Sequence, residues 1–251
     1  MADKYLSVNQ GKVWIASRNA AGVTSGYTWM GDCDQFVIKQ NQTFVDFYES
    51  YSGNRVRTVH VPSQFTMEFQ VDVRNIDGPN LARAFYGSQA SGAGASVTGE
   101  VINAYAGSMV PLKYPGVSSV VVTKTAGSTT LVAGTDYTVD AVNGTLTFLA
   151  GSTAVTGTTA VPCTVAYTYA AYSSRVKALT DTIKDYTLRF EGRSQYDGLT
   201  QVGVLHRANF SLAAQLDLIS AQTGVLSITG ALLPANDQPA GESQYFTYVQ
   251  A

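Results

Sequence analysis

The chain has 251 residues, enough for one large domain or two smaller ones with an adequate core. Charged residues make up 14% of it, below the roughly 25% usual in globular proteins; Gly, Thr, Ser, Ala and Val dominate instead, which favours β structure with many turns. Sixteen basic against eighteen acidic residues leave a formal charge of -2, which excludes the basic footprint of a nucleic-acid gripper and any polybasic membrane segment.

No apolar run follows the start Met1-Ala2-Asp3-Lys4-Tyr5, so no secretory signal is expected. No stretch reaches the roughly 18 apolar residues of a membrane helix. Cys33 and Cys163 lie far apart without a Cys-x-x-Cys partner and are expected to be free thiols.

Tyr5–Ser17 reads as an entry strand, followed by a Gly-marked loop. Gly31-Asp32-Cys33-Asp34 reads as a turn, and a second strand starts at Phe36–Lys39. From Gln40 to Pro62 the pattern loosens, with Phe44, Phe47, Tyr48 and Tyr51 mixed among Asp46, Glu49, Arg55 and Arg57 around a Ser52-Gly53-Asn54 turn. Two readings stand open there. One is a plain hairpin whose aromatics pack into the core; the other is a projecting loop whose aromatics and Arg residues dock on a neighbouring subunit.

Phe65–Val73 alternates without a fault. Phe65, Met67, Phe69, Val71 and Val73 point one way and Thr66, Glu68, Gln70 and Asp72 the other, as in a half-buried strand. A short helix is expected next, capped by Asp77 or Gly78, with Pro79 in its first turn and Gly87 at its end. The small-residue run Ser88–Thr98 reads as a flexible connector.

Ser108–Ser173 differs from its flanks, with four charges in 66 residues: Lys113, Lys124, Asp136 and Asp140. Asn143-Gly144 marks a two-residue hairpin with Val142 opposite Thr145 and Val139 opposite Phe148. With Ser118–Thr123 and Thr164–Tyr169 it makes a small inserted β module. Arg175–Lys184 fits a helix or a strand equally. Tyr186–Ser194, Val202–Leu218, Val225–Leu233 and Tyr245–Val249 complete the strands.

Chemistry-bearing motifs are missing. His60 and His206 have no zinc-type spacing, and no nucleophile elbow, phosphate loop or dinucleotide fingerprint occurs. Glu68 and Asp72 would stand about 13 Å apart on one strand, too far for a glycosidase pair. No catalytic residue, cofactor or metal site is expected.

In their order, the segments KVWIASRNAAG, GDCDQFVIKQ, ESYSGNRV, NLARAFYG, YTLRFEG and HRANFSLAAQLDLIS resemble those of the major tail tube proteins of long-tailed, siphovirus-type bacteriophages. The resemblance covers residues 1–107 and 174–251, a core in two parts; 108–173 resembles the small β decorations such proteins carry. It implies a mainly β fold: a twisted β-sandwich or barrel with one short flanking α-helix, plus an inserted β-sandwich-like module. It further implies a virion structural protein, assembled in the host cytoplasm into hexameric rings that stack as the tail tube. The partners implied are further copies of the chain, a tape-measure protein, a tail terminator and viral DNA in transit, with no membrane. Under this resemblance Phe47, Tyr48, Glu49, Tyr51 and Arg55 are expected to fall in the ring-stacking loop, and Glu68, Gln70 and Asp72 to face the lumen. Arg189 and Arg193 fit a DNA conduit less well unless Glu191 offsets them. The rival expectation is another β-rich structural or binding module, such as a capsid decoration, a baseplate component or a carbohydrate-binding domain.

Overall fold

The computed structural model describes residues 9–219 and 224–251. In chain order the elements are β1 (Asn9–Arg18), β2 (Thr28–Trp29), β3 (Cys33–Tyr48), β4 (Arg57–Val73), α1 (Gly78–Ala84), β5 (Ser88–Gly92), β6 (Ala95–Ala104), β7 (Met109–Pro111), β8 (Val117–Lys124), β9 (Tyr137–Asp140), β10 (Thr145–Phe148), β11 (Val161–Tyr169), β12 (Tyr172–Lys177), β13 (Asp185–Ser194), β14 (Thr200–Phe210), β15 (Leu226–Leu232) and β16 (Phe246–Gln250). The protein is mainly β, a twisted sandwich with one short helix among the described residues. The chain forms two compact units, Met1–Gln89 with Val176–Ala251, and Ala90–Arg175 between them. The first four residues of the expected entry strand lie outside the described residues.

In the first unit the strands run β2-β1-β13-β14-β15-β4-β3, with β16 also on β14. The branch makes the sandwich. Gln201–Leu205 of β14 pairs with β16, whereas Ala208–Phe210 pairs with β15. A register shift between Tyr186 and Leu188, where β14 passes from one partner to the other, gives the local bend that splits one sheet into two layers. Val13, Ile15, Leu188 and Leu205 from one layer meet Phe69, Val71, Leu226 and Ile228 from the other in a single core. Gly230 is required at the crossing, because a Cβ there would stand 2.2 Å from the Asn209 carbonyl oxygen and 2.6 Å from the Phe69 ring.

The helix is capped as the sequence indicates. The Asp77 carboxylate accepts from the Asn80 N–H at 2.9 Å, and Pro79 sits in the first turn. Its end differs from expectation. Tyr86, not Gly87, takes the left-handed conformation (φ 46°), held by its hydroxyl donating to the Phe210 carbonyl at 2.5 Å. Gly87 serves close approach instead, since a Cβ would meet the Lys177 carbonyl oxygen at 2.5 Å.

The second unit stacks the sheet β6-β11-β8 and the sheet β7-β10-β9 around a core that includes Val122, Leu146, Phe148, Cys163 and Val165. It starts at Ala90 rather than at 108, because β6 pairs along β11 from Ala104 to Ala95 and belongs to its sheet. Within the run Ser88–Thr98, expected as a flexible connector, Ser88–Gly92 is β5, paired with β12, and Ala95–Thr98 belongs to β6. The Asn-Gly hairpin exists with a longer loop: Thr145 pairs with Asp140 and Phe148 with Tyr137. The slip is two residues, so the faces keep their expected sides and Tyr137, Leu146 and Phe148 are buried. Only Gly144 of the pair has positive φ. The Asp140 carboxylate holds the loop, accepting from the Val142 and Asn143 N–H groups at 3.1 Å.

Three smaller readings change. β3 begins at Cys33, inside the expected turn. β12 continues to Lys177 and the remainder to Lys184 is irregular, neither helix nor strand. β14 stops at Phe210 although alternation continues to Leu216, because the Ala213 N–H turns to the Ala84 carbonyl at the end of α1.

Candidate functional site

β3 and β4 form one long antiparallel ribbon, from the Cys33–Val73 pair to the Tyr48–Arg57 pair. Its proximal half is half core: Met67, Phe69, Val71 and Val73 are all buried. The distal half is not. From Ile38 to Thr66 every residue is exposed except Asp46 and Glu49, which are intermediate.

The register sets what each distal face carries. Val45 pairs with Val61 and Phe47 with Val59, so these four apolar side chains share one face. The opposite face carries Phe44, Asp46 and His60. Phe44 stacks on the His60 ring at 4.1 Å and 14°; the His60 Nδ1 is hydrogen-bonded to Asp46, and the Arg57 guanidinium stands 3.5 Å from the same carboxylate. The His60 bond, with Arg57 adding to it, holds the Asp46 carboxyl below its ordinary pKa. The Glu49 N–H donates to the Val56 carbonyl at 3.0 Å and closes the turn, in which Gly53 and Arg55 have positive φ.

The expected loop residues are thus strand and turn residues of a hairpin. Phe47 and Tyr48, neighbours in β3, face opposite sides, each more than half exposed; Tyr51 at the tip is 87% exposed. Glu49 and Arg55 flank the turn. The aromatics do not pack into the core, so the hairpin form holds and the core packing does not. Phe65, placed with the buried face by alternation, is 42% exposed and meets Tyr245 edge-on at 5.7 Å.

Glu68, Gln70 and Asp72 lie on the outward face of proximal β4, flanked by Ala231, Thr229 and Ser227 on β15 and by Lys39, Val37 and Gln35 on β3. Gln70 ties the row together. Its amide N–H group faces both Asp72 oxygens at 3.1 and 3.2 Å, and its carbonyl accepts from Lys39 Nζ at 2.8 Å. Lys39 escaped the sequence reading because its alignment beside Glu68 depends on the β3–β4 register. Two carboxylates and one ammonium leave this face mildly acidic. On β13, Arg189 Nε donates to Glu191 at 2.7 Å, so that charge is offset within the strand.

A cleft of about 1070 Å³ opens between the first strands of the two layers, lined by Val13, Trp29, Phe36, Arg74, Phe190 and Tyr248 among others. Cys33 stands there with its thiol pushed up to about 11, by burial first and then by Asp32, Asp34 and Asp72. It is therefore a poor nucleophile. His206 keeps a buried Nε2 without a partner among the described residues, and burial, with the Arg18 charge, lowers its pKa and favours the neutral ring. No group of three His, Cys, Asp or Glu side chains suited to a metal occurs among the described residues.

Fold and surfaces define a two-unit, mainly β protein whose principal sheet extends into a solvent-exposed ribbon. The chain belongs to the family described as Protein of unknown function UCP028589, whose model matches residues 6–249. No curated protein matches it.

Proposed function

We propose that this chain is a structural virion protein, the tail tube protein of a long-tailed phage, which assembles into rings, expected to be hexameric, that stack into the conduit for the genome. The observation that carries the reading is the distal β3–β4 ribbon. A two-stranded hairpin without a covered face is marginally stable in water. This one exposes Phe44, Val45, Phe47, Val59 and Val61 on its two faces. Beyond β3 the sheet order shows no further strand among the described residues, which leaves a 16-residue edge. Long edges of that kind invite pairing with another chain. Further copies of the same chain would cover the ribbon and close the edge. The resemblance in segment order supplies the particular architecture.

In this reading the Glu68, Gln70 and Asp72 face lines the lumen. Mild acidity there repels phosphate, and Lys39 is engaged by Gln70, so passing DNA meets no strong cationic hold. The protein acts by assembly, not catalysis; its partners are its own copies, a tape-measure protein, a terminator and DNA in transit, and its place is the tail of the virion.

Electron microscopy of the concentrated full-length protein tests the reading. Regular hollow tubes are expected from the native chain, and a folded monomer that forms none from the Phe47→Ser, Tyr48→Ser, Tyr51→Ser variant. Native protein that stays monodisperse at all concentrations, even with tail partners, overturns the tube. Unchanged tubes from the variant overturn the role of the ribbon.

A further inference from the structure

Beside the end of α1 the first unit holds a pocket of about 330 Å³. It is lined by Ala82 and Arg83 of α1, Asp181 and Lys184 of the irregular segment, Tyr186 of β13 and Phe210 of β14, among others. That volume lies at the low end for small-ligand sites, too small for a polymer. The walls are pinned to one another. The Leu179 N–H donates to the Phe85 carbonyl and the Asp181 N–H to the Tyr86 carbonyl, both at 2.9 Å, and the Tyr86 hydroxyl donates to the Phe210 carbonyl. Tyr86 (φ 46°) and Leu179 (φ 57°), one on each side of this junction, are held left-handed although neither is glycine. Such backbone persists only where its surroundings over-determine it. The pocket is therefore formed before a ligand arrives, and binding has little to order.

The charges in the lining do not balance. Lys184 is paired with Asp181 near the surface. Arg83, half-buried, is in none of the ion pairs found among the described residues. Its Nη1 donates to the Asn80 side-chain carbonyl at 2.9 Å, which orients the guanidinium and leaves its charge uncompensated. Burial pushes the Arg83 pKa down, opposed by Tyr186 and by Asp77, whose carboxylate stands beyond ion-pair distance. Burial also pushes the Tyr186 phenol up, and Arg83, Lys184 and Asp181 all act on it electrostatically. The three charges thus surround one hydroxyl, which has no hydrogen-bond partner among the described residues.

A half-buried cation without a counter-charge carries a desolvation cost that an anion relieves. The count of charges selects the anion. Two cations and one carboxylate leave a single positive charge in the lining, which suits a monoanion better than a dianion. The guanidinium keeps N–H donors beyond the one given to Asn80, in the planar arrangement that matches a carboxylate. Ala82 and Phe210 provide apolar wall for a short hydrocarbon body. We infer that this pocket binds a small monocarboxylate, with Arg83 as its counter-ion and Asp181 setting the selectivity for a single charge. The inference rests on the first unit alone and is independent of tube assembly.

Isothermal titration of the full-length protein with benzoate, its neutral analogue benzamide, and sulfate tests it. Benzoate is expected to bind about tenfold more tightly than benzamide, the effect of one charge-assisted hydrogen bond, and more tightly than sulfate. Arg83→Gln should remove the preference for benzoate over benzamide, whereas Arg83→Lys, which keeps the charge and loses the planar fork, should retain part of it. Asp181→Asn leaves two positive charges in the lining and should move the preference from benzoate towards sulfate. Asp181 is exposed, so this variant decides the matter even if Arg83→Gln fails to fold. No binding of benzoate, equal binding of benzamide, tighter binding of sulfate by the native chain, or a ligand preference unchanged in folded Arg83→Gln or in Asp181→Asn overturns the site.

Discussion

The two halves of the β3–β4 ribbon are built from the same kind of sequence and live in different solvents. In β4, Met67, Phe69, Val71 and Val73 alternate with polar residues and are buried; Val59 and Val61 alternate in the same strand and are more than 40% exposed. Phe47 and Phe69 are both strand phenylalanines, yet one is 56% exposed and the other 1%. The strand conformation is common to both, and what differs is whether a second layer lies over the face. Alternation specifies which side chains point together, and only a packing partner turns that grouping into a core.

The difference is large enough to measure directly. Phe69→Ala should cost about 3–5 kcal/mol, the range for removing a buried aromatic, because its ring is enclosed by Phe210 at 5.5 Å and by the Gly230 backbone. Phe47→Ala should stay within about 0.5 kcal/mol in the dilute monomer. Trp14 and Trp29 both lie in the first unit, so denaturant unfolding followed by tryptophan fluorescence reports on that unit alone. Similar losses for the two variants would mean that the distal half is packed in solution, and the contrast would fail.

Much of this was legible in the sequence, for identifiable reasons. The runs 65–73 and 186–194 alternate cleanly, Asp77-Gly78-Pro79 carries its own cap chemistry, and the four-charge stretch announces a separate module. What stayed hidden depends on distant partners. Ala95–Ala104 is strand because β11 lies beside it, and small residues carry no alternation to reveal that. Leu212, Ala214 and Leu216 continue a pattern that the fold ignores, since α1 takes the Ala213 N–H. Of the candidate site, the residues were legible and their arrangement was not. Phe47 and Tyr48 divide between two faces, and Lys39 joins Gln70 only through the ribbon's register.

The next contrast concerns thiols at the two ends of the ribbon. Cys33, at the proximal end, has its thiol pushed up to about 11. At pH 8 it should be alkylated on the order of 100-fold more slowly than an unperturbed thiol, since only the thiolate reacts. A Cys163→Ala background isolates it. Val45→Cys in the distal half should react at the free-thiol rate. Asp32→Asn with Asp34→Asn should recover only part of the deficit at Cys33, because burial is the larger cause and the carboxylates the smaller. Equal rates at positions 33 and 45 would remove the distinction between the halves.

The smallest effect sits where the distal half has organised itself without a core. Asp46 joins His60 and Arg57, and Phe44 covers the His60 ring. The His60 bond is the first cause of the lowered Asp46 pKa and the Arg57 charge adds to it. A carboxyl whose folded pKa is depressed contributes its stabilisation in full above the ordinary aspartate value. That contribution is lost as pH falls through the lowered folded value. The distal ribbon should therefore loosen at acid pH before the proximal half responds. Titrating the Asp46 carboxyl carbon by NMR should give a midpoint below that of an ordinary aspartate. His60→Gln should move it upward by more than Arg57→Gln does, matching the order of the two causes. A midpoint at the ordinary value would mean that these contacts do not persist in solution and that the distal half does not organise itself.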